Sequence, residues 1–214
     1  VAYNWRDGKL TKLWTFDTNQ PGLSGYAGQG NHQLSIADVD QDGRDEIIFG
    51  AMTVDDDGKP LYSTGFGHGD ALHVTDIDPS RPGLEVFAVH ESTPNPAGIE
   101  LHDARTGEIL WGIPTDYDVG RGISVNIDPN HYGNEAWASR SPLFNAKGEI
   151  ISTSAPNSIN HAIWWDGDLL RELLDHTGPG GAGKIDKWDW EHQRTVNLAT
   201  FAGTASNNGT KGNP

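Results

Sequence analysis

The chain has 214 residues, with 30 Asp and Glu against 15 Lys and Arg, a formal net charge of −15 and no Cys. That length suits one large all-β domain or two small ones. The charge argues against nucleic acid or an anionic membrane surface as partner, and without Cys there is no disulfide, zinc-thiolate site or thiol nucleophile. No run resembles a signal peptide or a membrane-spanning helix. Val1 stands where a Met would open a complete chain, and Pro214 follows a Gly-Asn loop, so a piece of a longer protein is expected.

The first element is a hairpin, Tyr3-Asn-Trp5-Arg-Asp7-Gly8-Lys-Leu10 leading to Leu13-Trp14. Asp-Gly between alternating apolar positions is a strong two-residue turn signal. Next comes Asp38-Val-Asp40-Gln-Asp42-Gly43-Arg44-Asp45-Glu46, running into Ile47-Ile48-Phe49-Gly50. Carboxylates at alternate positions around a Gly turn make a ring of hard oxygens suited to Ca²⁺. An EF-hand would close with Glu at position twelve, where Phe49 stands; Glu46 closes this loop earlier, and no exiting helix follows. The set read as ligands is Asp38, Asp40, Asp42, Arg44 and Glu46. Looser copies follow, Asp76-Ile-Asp78-Pro-Ser80 closing at Glu85 and Asn126-Ile-Asp128-Pro-Asn130 closing at Glu135. Their sets are Asp76, Asp78, Glu85 and Asn126, Asp128, Glu135. An isolated Asp-rich turn is usually only solvated loop, but three aligned copies feeding strands favour calcium.

Each calcium loop joins two strands: Leu34–Asp38 with Asp45–Ala51, Leu72–Asp76 with Leu84–Val89, and Ile123–Asn126 with Glu135–Ala138. Gly-turn hairpins alternate with them, at Ile99–Gly107 leading to Ile109–Trp111, at Leu143–Ile150 and at Ala162–Leu169. The loop starts lie 38 and 50 residues apart. Four short strands per about 40–50 residues is the spacing of β-propeller blades. The expectation is all-β, about four blades, as a segment of a larger propeller occupying the whole of residues 1–214. The short helical-looking stretch Leu169–Leu174 is read as continuing its hairpin, and Pro179–Gly183 and Ser206–Pro214 as loops.

Gly65-Phe-Gly67-His68-Gly69-Asp70 precedes the second calcium loop, His32 precedes the first, Glu91 follows the second blade's inner strand, and Arg121 sits in Gly120-Arg-Gly122. In a propeller, matching positions of successive blades converge on one mouth of the channel. His32, His68, Asp70 and Glu91 therefore read as a mixed imidazole and carboxylate cation site. His73, His90, His102, His131, His161, His176 and His192 lack that register and read as structural. Arg121 is shaped to grip a carboxylate in a bidentate fork, against an ordinary surface ion pair. Ser206-Asn-Asn208-Gly209-Thr210-Lys211 gathers amide, hydroxyl and amine groups that suit a sugar, although such a loop alone is usually a turn.

On these stretches, with Gly30–Asp40, Val89-His-Glu91, Pro114–Asp128, Trp164–Leu173 and Asn207–Lys211, the chain resembles the rhamnogalacturonan lyases of polysaccharide lyase family 11. The resemblance implies an eight-bladed β-propeller with several Ca²⁺ ions, of which this chain would be about half. It also implies that His32, His68, Asp70 and Glu91 hold a calcium ion, that Arg121 and Lys211 are catalytic, and that Asn208, Gly209 and Thr210 contact the sugar. A Tyr that the family brings from near its C-terminus has no counterpart here, so the fragment alone is expected to be inactive. The implied substrate is rhamnogalacturonan I, cut at C4 of galacturonate by β-elimination; a monomer and an extracellular location are expected. The short link Gly112–Gly120 leaves little chain for a wall across the cleft, which predicts endo cleavage. Rival readings are a calcium-binding adhesion propeller, a quinone-dependent dehydrogenase and a glycoside hydrolase with paired carboxylates.

Overall fold

The computed structural model describes residues 1–178 and 181–203. Its strands, in chain order, are β1 (Ala2–Arg6), β2 (Lys9–Trp14), β3 (Ser35–Ala37), β4 (Glu46–Ile48), β5 (Met52–Val54), β6 (Pro60–Ser63), β7 (Ala71–Thr75), β8 (Glu85–Val89) and β9 (Asn95–Asp103). They continue as β10 (Ile109–Thr115), β11 (Gly122–Val125), β12 (Glu135–Ala138), β13 (Leu143–Phe144), β14 (Ile150–Ser152), β15 (His161–Ile163), β16 (Glu172–His176), β17 (Gly183–Asp189) and β18 (Arg194–Phe201). A single 3₁₀ turn, Ser24–Tyr26, is the sole helical element among the described residues. The β1–β2 hairpin stands alone, and the other strands form four sheets of four, each in sequence order: β3 to β6, β7 to β10, β11 to β14 and β15 to β18.

All three Asp-rich loops read from the sequence fall between the first two strands of a sheet, as the alternating apolar runs indicate. Asp7 and Gly8 take φ of 50° and 72°, the paired positive values of a type I′ turn. Two strand pairs were not foreseen. Between β5 and β6 the turn is Asp-Asp-Asp-Gly, and β17–β18 carries no apolar alternation strong enough to announce it. Leu169–Leu174 is not helical; from Glu172 it is strand β16. Of the segment read as loop from 179 to 183, Gly183 opens β17 and residues 179–180 lie outside the described part.

Two compact units divide the chain. One comprises Val1–Val74 and Gly83–Asp118, the other Thr75–Pro82 and the chain from Val119 onward. In the first, Val39, Ile48, Leu72, Val86, Ala88 and Ala104 form a buried cluster. In the second, Ile123, Val125, Ile127, Trp137, Leu143, Leu173 and Trp188 do so. Second strands β8 and β12 are buried at every position, which explains their nearly continuous apolar runs.

Within the first unit, the outermost strand of one sheet caps the turn of the next with an aromatic ring. A Cβ on Gly58 would meet the Trp14 ring at 2.6 Å, and one on Gly107 would meet the Tyr62 ring at 2.4 Å. Trp14 also donates its indole N–H to Asp56 O (2.7 Å), and Tyr62 its hydroxyl to Ala104 O (2.9 Å). Trp14 and Tyr62 are therefore spacers between neighbouring sheets, and Gly58 and Gly107 leave room for them.

Candidate functional site

Four of the residues singled out in the sequence come together in the first unit. One nitrogen or carboxylate oxygen from each of His32, His68, Asp70 and Glu91 lies within 4.8 Å of all the others. His32 Nε2 is 3.4 Å from Asp70 Oδ1 and His68 Nε2 is 3.9 Å from Glu91 Oε1, while the two imidazole rings meet edge to face with centroids 4.9 Å apart. The backbone explains the convergence. Asn31 and Gly69 form an isolated parallel bridge, in which His32 N–H donates to Gly69 O (3.1 Å), and Glu91 N–H donates to His68 O (2.9 Å). Three consecutive chain passages are thus laced together at the residues that carry the ligands. Gly69 is compelled: a Cβ there would sit 2.0 Å from Val89 O.

Beneath this cluster lies a buried polar chain that the sequence reading classed as structural histidines. His90 donates from Nδ1 to Gly67 O (3.2 Å), and its Nε2 faces Glu100 Oε1 at 3.3 Å. Glu100 also holds His102 Nδ1 at 2.9 Å, and His102 Nε2 meets the Tyr62 hydroxyl at 3.1 Å. His90, Glu100 and His102 are fully buried. Burial opposes ionisation of Glu100, but the two imidazoles outweigh it and hold the carboxyl below the usual range. The network anchors the segment immediately before His68. Glu91 moves the other way: burial first, then the neighbouring Asp70 charge, raise its pKa. Two carboxylates crowded beside two imidazoles fit a divalent cation, which would relieve that repulsion.

The Asp-rich loops share a second device. In the first, Glu46 Oε2 accepts Val39 N–H (2.8 Å), while Asp38 accepts the N–H groups of Asp42 and Gly43 and Asp42 accepts that of Arg44. Oxygens of Asp38, Asp40 and Asp42 lie within 4.8 Å of one another, and so do those of Glu46, Asp55 and Asp56. Asp55 and Asp56 escaped the sequence reading because they follow β5, outside the motif. Arg44 directs its guanidinium to Asp56 (2.7 Å), so its carbonyl is the group it can offer a cation. In the third loop Glu135 Oε2 accepts Ile127 N–H (2.8 Å) and Asp128 N–H (2.9 Å), and Arg171 N–H donates to Asn126 O. The other oxygens of Glu46 and Glu135 are buried without a hydrogen-bond partner. Burial raises the Glu46 carboxyl and pushes that of Glu135 up to about 7. A buried carboxylate oxygen with no donor is costly unless a cation meets it, so these loops fit hard metal ions. In the second loop Asp78 caps Ser80 (N–H 3.1 Å, Oγ–H 2.6 Å), with Asp76 exposed and Glu85 buried.

A fourth loop of the same kind went unrecognised. Glu172 Oε2 accepts Trp165 N–H (2.8 Å) and Asp166 N–H (3.2 Å), and oxygens of Asp166, Asp168 and Glu172 lie within 4.8 Å of one another. The signal was present, since Asp166 and Asp168 precede Glu172 as Asp40 and Asp42 precede Glu46; Trp164 in place of the first Asp concealed it.

Arg121 belongs to the second unit. Gly120 at φ 69° turns the chain into β11, and the Arg121 carbonyl accepts Ser139 N–H (2.9 Å). Its charge contributes, after burial, to holding His161 below its ordinary pKa. Asn208, Gly209, Thr210 and Lys211 lie outside the described residues.

The description "rhamnogalacturonan lyase family 11, C-terminal domain" matches residues 1–214. The chain belongs to this family. It is 59% identical over 224 residues to the rhamnogalacturonan exolyase YesX of Bacillus subtilis, covering 100% of this chain and 37% of that protein. It is also 58% identical over 214 residues to the rhamnogalacturonan endolyase YesW of the same organism, covering 100% of this chain and 33% of that one. The crystal structures of YesX and YesW superpose with TM-scores of 0.94 and 0.93 over 99% of the chain and 37% and 35% of theirs. The chain thus spans about a third of the length of these relatives.

Proposed function

We infer that this chain is the cation-bearing part of a β-propeller lyase that cuts rhamnogalacturonan I internally by β-elimination. The observation that carries the reading is the meeting of His32, His68, Asp70 and Glu91 in a family member. The four sheets of four antiparallel strands suit successive blades. Bound calcium would supply positive charge against a uronate carboxylate and so make the adjacent C5 proton more acidic. His32, His68, Asp70 and Glu91 would hold the ion, and His90 with Glu100 keeps the His68 segment in place. Arg121 grips a uronate carboxylate through its planar fork, and Lys211 takes the C5 proton. Asn208, Gly209 and Thr210 contact the sugar. Calcium in the first three Asp-rich loops would brace their sheets, which suits an extracellular setting and a monomer acting on pectic polymer.

One fact supports endo cleavage: strand β10 runs on to Thr115, so the free link to β11 shrinks to residues 116–121.

The deciding experiment incubates the full-length protein with rhamnogalacturonan I. An ultraviolet chromophore of unsaturated uronate is the expected result. New reducing ends without it would mean a hydrolase, and neither would mean a binding module.

A further inference from the structure

The four Asp-rich loops differ at one position fixed by sheet register. The Glu that closes each loop begins the second strand of its sheet, and the residue next in register lies on the third strand or one place beyond its end. Glu85 pairs with Asp103. One step beyond the Ile47–Val54 pair, Glu46 faces Asp55, and one step beyond Ala136–Phe144, Glu135 faces Asn145. Beyond the Leu173–Asp186 pair, Glu172 faces Lys187. Two carboxylates and an amide occupy this position in three sheets; the fourth has an ammonium.

That ammonium fills its loop. Lys187 Nζ is hydrogen-bonded to Asp166 Oδ2, lies 2.5 Å from Asp168 Oδ2 and 3.0 Å from Glu172 Oε1. An ammonium has three N–H donors, and here three carboxylates surround it. Glu172 is fully buried, with one oxygen clamped by backbone N–H groups in the same way as Glu46 and Glu135. Its second oxygen makes no hydrogen bond, like its counterparts in those two loops, but it lies 3.0 Å from Lys187 Nζ as an ion pair. Burial works against the Lys187 charge, yet the surrounding carboxylates prevail and raise its pKa; the same contact lowers that of Asp166.

We propose that Lys187 is the resident cation of the fourth loop, standing where a divalent ion would bind, and that this sheet is braced without metal. A divalent cation a few ångströms from Lys187 would meet strong repulsion from the ammonium, which already occupies the Asp166 and Asp168 oxygens that the ion would need. Removing the ammonium leaves three converging carboxylate groups and should turn the loop into a calcium site.

The test counts bound calcium per chain in the full-length protein by elemental analysis after dialysis into calcium-free buffer. The double variant Asp166→Asn, Asp168→Asn should retain the wild-type number; the loss of one ion would show that the loop holds metal and would overturn the proposal. Lys187→Asn should gain one calcium per chain, and with terbium in place of calcium it should show new emission sensitised by the adjacent Trp165. A folded Lys187→Asn variant with neither gain would also overturn it. Should Lys187→Asn fail to fold, the count in the double Asp variant decides alone.

Discussion

The residue with most to lose from a change of charge is Glu100. Its carboxylate is fully buried between His90 and His102, and its folded pKa lies below the ordinary value. For such a group the unfolded state binds protons first, so its stabilisation is complete above about pH 4.5 and is lost as pH falls through the folded pKa. Glu100→Gln keeps the volume but removes the charged acceptor that both imidazoles face, at a cost of about 1–3 kcal/mol, typical of leaving buried polar groups poorly satisfied. Denaturant unfolding at several pH values should show the deficit at neutral pH and its shrinkage on acidification. A constant deficit across that range would mean that packing, rather than ionisation, is what the variant lost. For the cation cluster, His68→Gln and Asp70→Asn should each weaken one calcium site by tenfold or more, since the ligands must act together. Retention of the full calcium complement at low free calcium would remove these residues from the ligand set.

At the scale of elements, sheets are spaced by rings resting on glycines. Gly107 has φ 72° and faces the Tyr62 ring, whereas Gly8 has the same φ and open space around its missing Cβ. Gly8→Ala should cost only the left-handed backbone penalty, about 1–2 kcal/mol. Gly107→Ala adds the overpacking cost, a further 1–3 kcal/mol or so. Equal losses in thermal unfolding would show that the ring moves aside freely. Much of this layer was legible in the chain: the Asp-Gly turn at Asp7-Gly8, the Asp/Glu spacing of three loops and the strands flanking them all lie within a few residues of each other. What escaped were features joined across strands. Asp55 and Asp56 complete the first loop from beyond β5, and Lys187 reaches the fourth from fifteen residues past Glu172. Spacing along the chain cannot report a neighbour created by register. The convergence of His32, His68, Asp70 and Glu91 was legible because their places relative to the repeats were matched.

For the whole protein, calcium that bound only the folded state would stabilise it by mass action. Chelation should therefore lower the melting temperature of the full-length protein by several degrees or more, restored on adding calcium back; an unchanged melting curve after confirmed metal removal would exclude a bracing role. The proposed cleavage mode has its own signature. Internal cutting predicts a rapid fall in viscosity with a spread of oligosaccharides, while release of disaccharide alone from the first minutes would mean exo action.

Register also makes dependence on the medium a property that can be set sheet by sheet. In a medium that holds sequestrants such as citrate, a protein braced by calcium would have to compete for its metal. The position occupied by Lys187 suggests a route around that competition. Asp55 faces Glu46 as Lys187 faces Glu172, so Asp55→Lys should plant an ammonium in the first loop. If charge at this one place decides, the variant would keep its shape in citrate longer than the natural chain, with the near-ultraviolet dichroism of its tryptophans as the gauge. Equal decay of the two proteins would confine the lysine device to the fourth sheet.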